Sequence, residues 1–421
     1  MRNVCILLMF VIGFIVSAQE PAIQIEKDTT TTRQAEKINP FNTGFYPIGF
    51  FDVDFRYFIK YNNYEGIRLG LGGITNDRLS RRFKLGGYIA RGFKDQDIKY
   101  SAGGSLRLDQ PGNTWVNLYY INDIQEIGTY NYLTDARVYS VFEPRLVNIT
   151  QFYKHRTWQA NVQHEFTPKI LSELRISSSK IDQIESYFFI NDDEVFHNYY
   201  TSEAVASIRI SPKSNFFTAE DGRIEYFDGF PKISAQITQG IRGVAKSDFT
   251  YTKLGLKLDY YLKRTNLSST NILMEGSLAF GDMPLTHLFH AYPNSPTKDE
   301  VMERFSVAGR RSFETMYFGE FFSDKLATLQ IKHSLRRFNI TEKWRPELVF
   351  ITRHALGDLS NPEEHLGIDF NTLDQLYSES GFELNKILFG FGLSFAYRYG
   401  FYHLPNLEDN ISFKFTFYLK I

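Results

Sequence analysis

Cysteine is nearly absent: the 421 residues hold one, Cys5, inside an apolar stretch at the N-terminus, without the small residues that precede a lipid-modified cysteine. Loss of that stretch on export leaves no thiol, so stability must come from packing or closure of backbone hydrogen bonds rather than from disulfides. After Val16 no apolar run approaches the roughly 20 residues of a spanning helix. A block of like charge is also missing: 47 basic residues face 48 acidic ones, and nothing points to a nucleic-acid partner. No nucleophile is paired with a histidine in a recognisable motif, so no catalytic residue is assigned, an enzyme is the weaker expectation, and no cofactor is expected.

What is present begins with a leader. Arg2 precedes the 13-residue apolar stretch Val4 to Val16, which ends in Val16-Ser17-Ala18 before Gln19-Glu20. Residues 1–18 therefore read as a secretory signal peptide cleaved after Ala18, too short to span a membrane. Residues 19–45, with Thr29 to Thr32 in a row, read as a disordered periplasmic lead too short for a plug domain. Residues 46–421 are expected to form one further domain.

Aromatics are abundant, with 39 Phe, 26 Tyr and 3 Trp making 16% of the chain, while mean hydropathy stays slightly polar. A membrane barrel has this composition, because each strand shows lipid only every second side chain. A secreted β-sandwich shares it, and alternation decides between them. Phe51, Val53, Phe55, Tyr57 and Ile59 alternate with Asp52, Asp54, Arg56 and Lys60; Ile411, Phe413, Phe415, Phe417, Leu419 and Ile421 alternate with Ser412, Lys414, Thr416, Tyr418 and Lys420. A period of two places the two sets on opposite faces.

Such runs predict strands near 50–60, 65–75, 81–93, 98–109, 113–121, 156–167, 169–180, 201–212, 224–239, 249–263, 269–281, 314–338, 343–357, 374–385, 388–401 and 410–421. The expectation is an all-β transmembrane antiparallel barrel of about 16 strands, both termini periplasmic, in the cell outer membrane of a Gram-negative bacterium. Loop lengths support the parity: short connections fall at 76–80, 110–113, Pro168, 264–268, 339–342 and 386–387, with a longer one at 213–223. Long ones fall at 122–155, 181–200, 282–313 and 358–373. A strand at 145–153 would upset that parity, and Ile421 departs from the terminal aromatic usual in such barrels.

Lumen-facing candidates follow from the same alternation: Asp52, Asp54, Arg56, Arg68, Lys99, Arg107 and Arg398. Gly66, Gly70 and Gly72, with Gly390 and Gly392, form a small-residue lumen wall near the closure seam, because glycine in a strand permits close approach of another backbone. That wall is expected to receive the 282–313 loop, whose Arg310 and Arg311 would pair with Asp52 or Asp54. The alternative is a solvated extracellular loop. Asp192, Asp193, Glu194 and His197 read as a solvated acidic loop that can bind cations bridging lipopolysaccharide; His287 and His290 alone do not make a metal site.

Several stretches together resemble a known family: Asn39-Pro40-Phe41, Tyr64-Glu65-Gly66-Ile67-Arg68-Leu69-Gly70-Leu71-Gly72-Gly73, Leu85-Gly86-Gly87-Tyr88, Gly92-Phe93-Lys94-Asp95, Lys99-Tyr100, Gly281 to Pro284, Tyr397-Arg398-Tyr399-Gly400 and Asp409-Asn410. They are similar to the C-terminal barrel region of outer-membrane proteins that carry a carboxypeptidase-regulatory-like domain in front. The resemblance implies an outer-membrane barrel with no assigned substrate; the front domain is not seen here, and a separate periplasmic protein is a candidate to replace it. A more distant likeness is to surface-antigen and outer-membrane assembly barrels of about 16 strands, whose inward loop carries an Arg-Gly motif where this chain has Gly-Arg-Arg.

Two classes of function stay open. One is passage or export of a molecule through or alongside the lumen, with the lumen charges setting selectivity; the other is a scaffold for surface loops that bind a partner or, less favoured, perform hydrolysis. The partners expected are outer-membrane lipid and lipopolysaccharide, the barrel assembly machinery and a periplasmic protein.

Overall fold

Period-two alternation lays down strands along most of the chain, and the computed structural model describes residues 44–109, 113–133, 144–218, 224–296, 306–309, 311–341, 344–388 and 390–417. The signal, most of the lead and Arg310 lie outside them. The first half holds β1 (Phe45–Ile48), β2 (Phe51–Asp54), β3 (Ile59–Asn62), β4 (Gly66–Thr75), β5 (Phe83–Gly92), β6 (Ile98–Asp109), β7 (Thr114–Glu126), β8 (Phe152–Thr167), β9 (Ile170–Gln183), β10 (Phe188–Asn191), β11 (Glu194–Phe196) and β12 (Tyr199–Ile210). The second half holds β13 (Asn215–Thr218), β14 (Ile224–Phe227), β15 (Lys232–Gly240), β16 (Tyr251–Lys263), β17 (Ser269–Gly281), β18 (Pro293–Ser295), β19 (Phe313–Tyr317), β20 (Lys325–Ser334), β21 (Glu347–Asp358), β22 (His365–Leu366), β23 (Tyr377–Leu388), β24 (Phe391–Gly400) and β25 (Ile411–Phe417).

Eighteen of these form one antiparallel sheet in which each strand bonds the next sheet strand along the chain, except that β2 and β3 both bond β4. With β2 and β3 taken as halves of one interrupted strand and the short β1 set aside, sixteen strands remain, as expected. The sheet is inside out relative to a water-soluble protein. On β4, Ile67, Leu69 and Leu71 are exposed while Arg68 between them is buried; elsewhere Leu174, Leu256, Phe350 and Phe413 face out while Glu173, Lys257, Arg353 and Lys414 are buried. Apolar outside and polar inside, with backbone groups bonded strand to strand, is the arrangement a barrel takes in lipid.

The interior is reached from distant parts of the chain, which requires the sheet to curl round it. Tyr132, in the connection after β7, lies 3.2 Å from the hydroxyl of Ser277 on β17. The long connections leave one end of the sheet, apart from the one at 211–231 that holds the β13–β14 hairpin, and most short ones leave the other. Residues 144–147 form a 3-10 turn rather than a strand, so the parity holds.

Four expectations need correction. The first strand breaks at Phe55–Tyr57, a 3-10 turn whose N-terminal Asp54 accepts from the Arg56 backbone. The run at 224–239 splits: β14 pairs with β13 in a separate hairpin, and Gly229 and Pro231 intervene before β15, since proline removes a ladder donor. The run at 314–338 also splits, because Gly319 (φ 73) turns the chain and β19 is buried on both faces; it pairs in parallel with β18 inside the barrel. Gly390 (φ 83) sits in the β23–β24 turn rather than on the lumen wall.

The free edge of β25 has an unusual partner. Among the described residues no ladder joins it to β1 or β3; instead the Phe415 N–H donates to the Ser306 carbonyl (3.1 Å) and its carbonyl accepts from Ala308 (2.8 Å). A segment of the β17–β20 connection thus lies beside the last strand, parallel to it.

Candidate functional site: the filled lumen

Alternation on β21, β23 and β25 turns Arg353, Glu379 and Lys414 inward, where β19 crosses them. Arg353 donates to Glu379 at 2.6 Å, and Glu379 accepts the backbone N–H groups of Glu314 and Thr315, each at 2.9 Å. Glu314 in turn accepts from Asn294 (2.7 Å) and Gly309 (3.1 Å) and pairs with Lys414 at 3.0 Å. Two acids and two bases, all almost fully buried, balance in charge and bind the inner segment to three wall strands. Breaking such a set leaves a buried charge without its partner. Gly392 shares the inner face of β24 with Ser394 and Ala396, but the atoms nearest to it belong to Leu384, Asn385 and Thr416 rather than to β19.

The second group of charges lies on the N-terminal wall. Arg68 forks onto Asp123 at 2.7 and 2.9 Å and approaches Glu65, which also meets Lys99 at 3.1 Å; Lys99 pairs with Asp95 as well. Gly70 and Gly72 share this wall, but what fills the space over Gly72 is Tyr57, stacked on Tyr88 at 4.1 Å, not the long loop. A Cβ on Gly72 would come within 2.5 Å of the Tyr57 ring.

The remaining sequence candidates are spread out. Asp52 accepts from Asn76 at 2.9 Å, Asp54 is paired with half-exposed Arg56, and half-buried Arg107 lies over Trp115. Arg398 forks onto Glu320 of the inner segment at 2.7 and 3.1 Å and faces the Tyr377 ring. Gly66 opens β4 with φ 66. The pairing expected for the loop arginines is not found at Arg311: it lies 3.6 Å from Glu275 and over the Tyr292 ring, on the wall its own connection springs from. Residues that the sequence reading missed are Glu126 and Arg145, where Arg145 donates to Glu126 at 2.6 Å; His290, noted there only as half of an insufficient metal pair, lies 3.1 Å from Glu126. Glu126 and Arg145 sit inside a stretch read as one loop, so no periodicity marked them.

At the loop end the lumen is filled by apolar side chains. Ile127, Tyr187, Phe189, Phe249, Leu285 and Phe322 belong to one buried apolar cluster contributed by five different connections. Above it β10, β11 and β22 form a small three-stranded sheet. His365 on β22 lies 2.8 Å from the Tyr187 hydroxyl, which accepts from the Leu285 N–H at 3.0 Å. Burial lowers the pKa of His365 to about 4 and that of His287 likewise to about 4. Both are neutral at neutral pH. Among the described residues no three metal-ligating side chains come together.

The turn end differs. There the walls carry polar pairs, Asn117 with Asn161 and Gln163 with Glu173, and most of these side chains are half-buried. A cleft of about 400 Å³ opens at the loop end, between Glu320-Phe321, residues 371–374 and residues 401–404.

Among solved structures, the chain is similar to BamA from Haemophilus ducreyi lacking POTRA domains 1–3, at 12% identity and a TM-score of 0.51, over 85% of this chain and 68% of that one. CdiB from Acinetobacter baumannii matches at 12% identity and a TM-score of 0.40, over 84% of this chain and 57% of that one. No curated protein matches. Residues 51–278 match the C-terminal domain of a family of unknown function, DUF5686, and the chain belongs to that family.

Proposed function

We propose that the protein is an integral outer-membrane barrel, long loops outside and short turns in the periplasm, that handles a molecule through a lumen shut at its outer end. The observation that carries this reading is the buried ring of Arg353, Glu379, Glu314 and Lys414, which fastens an inward-folded segment to strands of the wall. A barrel that served only to display loops has no use for charges buried against a removable segment. The half-buried polar wall at the turn end is the surface a cargo or periplasmic partner meets first. Outer-membrane lipid, lipopolysaccharide and the barrel assembly machinery complete the expected partners, and a secretory signal at 1–18 fits the location.

Planar-bilayer conductance tests this. The native protein should be silent, and the double variant E314Q/K414M, checked for folding by circular dichroism, should show openings. Steady conduction by the native protein would overturn the shut lumen; a folded, silent double variant would overturn passage through it. The display reading keeps one specific support, the three-stranded outer sheet with the neighbouring cleft.

A further inference from the structure

Charge is sorted between the two ends of the barrel in a way the lumen does not require. At the loop end, residues 184–198 carry Glu185, Asp192, Asp193 and Glu194, and residues 359–376 carry Glu363, Glu364, Asp369 and Asp374, with no Lys or Arg in either stretch. At the turn end the 211–231 connection is also net acidic, but other turns there are basic. Residues 76–82 hold Arg78, Arg81 and Arg82 against Asp77.

The strongest concentration lies on three adjacent turns. The β20–β21 hairpin lies between the β16–β17 and β23–β24 turns, because β20 pairs with β17 and β21 with β23. Together these turns carry Lys263, Arg264, Arg336, Arg337, Arg345 and Lys386, with Lys343 between, against Glu342 and Glu347. The hairpin is held by backbone bonds from Leu335 to Leu348, Phe338 to Pro346 and Ile340 to Trp344. Its apolar side chains are not buried: Phe338 is 45%, Ile340 52% and Trp344 41% exposed, and Leu267 on the adjacent turn is 59% exposed.

We infer that this arc is a docking surface for anionic phospholipid headgroups, anchoring the turn end of the barrel in a negatively charged leaflet. The inference rests on the membrane-barrel reading above and adds the lipid class. Tryptophan and other amphipathic side chains settle at the level of the headgroups, and guanidinium groups fork onto phosphate oxygens. The arc begins where the lipid-facing strands end, so both kinds of side chain reach the same layer. Each basic group near an anionic surface strengthens binding about fivefold at low salt, and the effect shrinks as salt screens it.

Native mass spectrometry of the detergent-purified full chain, incubated with phosphatidylglycerol or phosphatidylcholine, tests it. The native protein should retain phosphatidylglycerol preferentially. The variant R336Q/R337Q/R345Q should lose that preference by on the order of a hundredfold in affinity, and F338S/W344S should weaken retention of both lipids. Equal retention of the two lipids by the native protein, or an unchanged preference in the arginine variant, overturns the inference. Insertion into zwitterionic vesicles is scored separately: a chain that inserts into none of them refutes the barrel reading itself, whereas one that inserts without headgroup preference refutes only the lipid site. Capture of a periplasmic protein by the arc, with no lipid preference, counts against the inference.

Discussion

Glu379, fully buried, accepts two backbone N–H groups of β19 and the guanidinium of Arg353, so its removal should be costly. Glu379→Ala strands Arg353 in the interior and should destabilise the folded barrel by about 3–5 kcal/mol, measured by denaturant unfolding in vesicles. The paired change R353M/E379L should recover the part due to the stranded charge but not that of the two N–H groups left without an acceptor. Glycines separate by surroundings in the same way: Gly276→Ala meets no atom within 4 Å, whereas Gly72→Ala must displace the Tyr57 ring, and only the second should lower stability. His365 gives a pH dependence. An unfolded histidine titrates near 6.5 and His365 near 4, so above 6.5 both forms are neutral and stability is unaffected. As pH falls below 6.5 the unfolded loop gains a proton that the fold refuses, and the outer cap weakens until about pH 4. Hydrogen-exchange protection at residues 187–189 and 365–373, taken relative to the intrinsic exchange rate at each pH, should fall over that window, and His365→Phe should flatten the response.

At the scale of strands, lipid rather than a core selects the outward face. Leu174→Arg, at an exposed position in β9, should cost about 2–4 kcal/mol near the bilayer midplane, read as a lower unfolding midpoint in vesicles. The same exchange in a soluble surface strand would be nearly neutral. This outward face is also what made the fold legible: the alternations at 65–75 and 249–263 survive as β4 and β16 almost residue for residue. Where alternation misled, a second force was at work. Phe313 to Met316 are buried on both faces because β19 runs inside the barrel, and Phe55–Tyr57 leave the sheet so that Tyr57 can fill the space over Gly72. The lumen charges on strands, Arg68, Lys99 and Arg398, could be placed on a face from sequence, but their partners Asp123, Glu65 and Glu320 could not. Two of these partners sit in connections, where no period relates them to the wall.

At the scale of the whole molecule, sixteen strands each bond the next sheet strand along the chain, so most of the sheet can form by adding one neighbour after another. The lumen is the exception, since its contents come from connections far apart in sequence. Conductance of the double variant described above therefore reports on one region, the inner segment, while the sheet stays intact. The bonds from Ser306 and Ala308 to Phe415, and from Lys414 to Glu314, attach that segment to the last strand made. A polypeptide still emerging, or one cut short before Ile411, holds its own stopper only through Glu379 and Arg398, without the bonds to Lys414 and Phe415. The shutter and the final stave have to arrive together, and an unfinished molecule is left ajar.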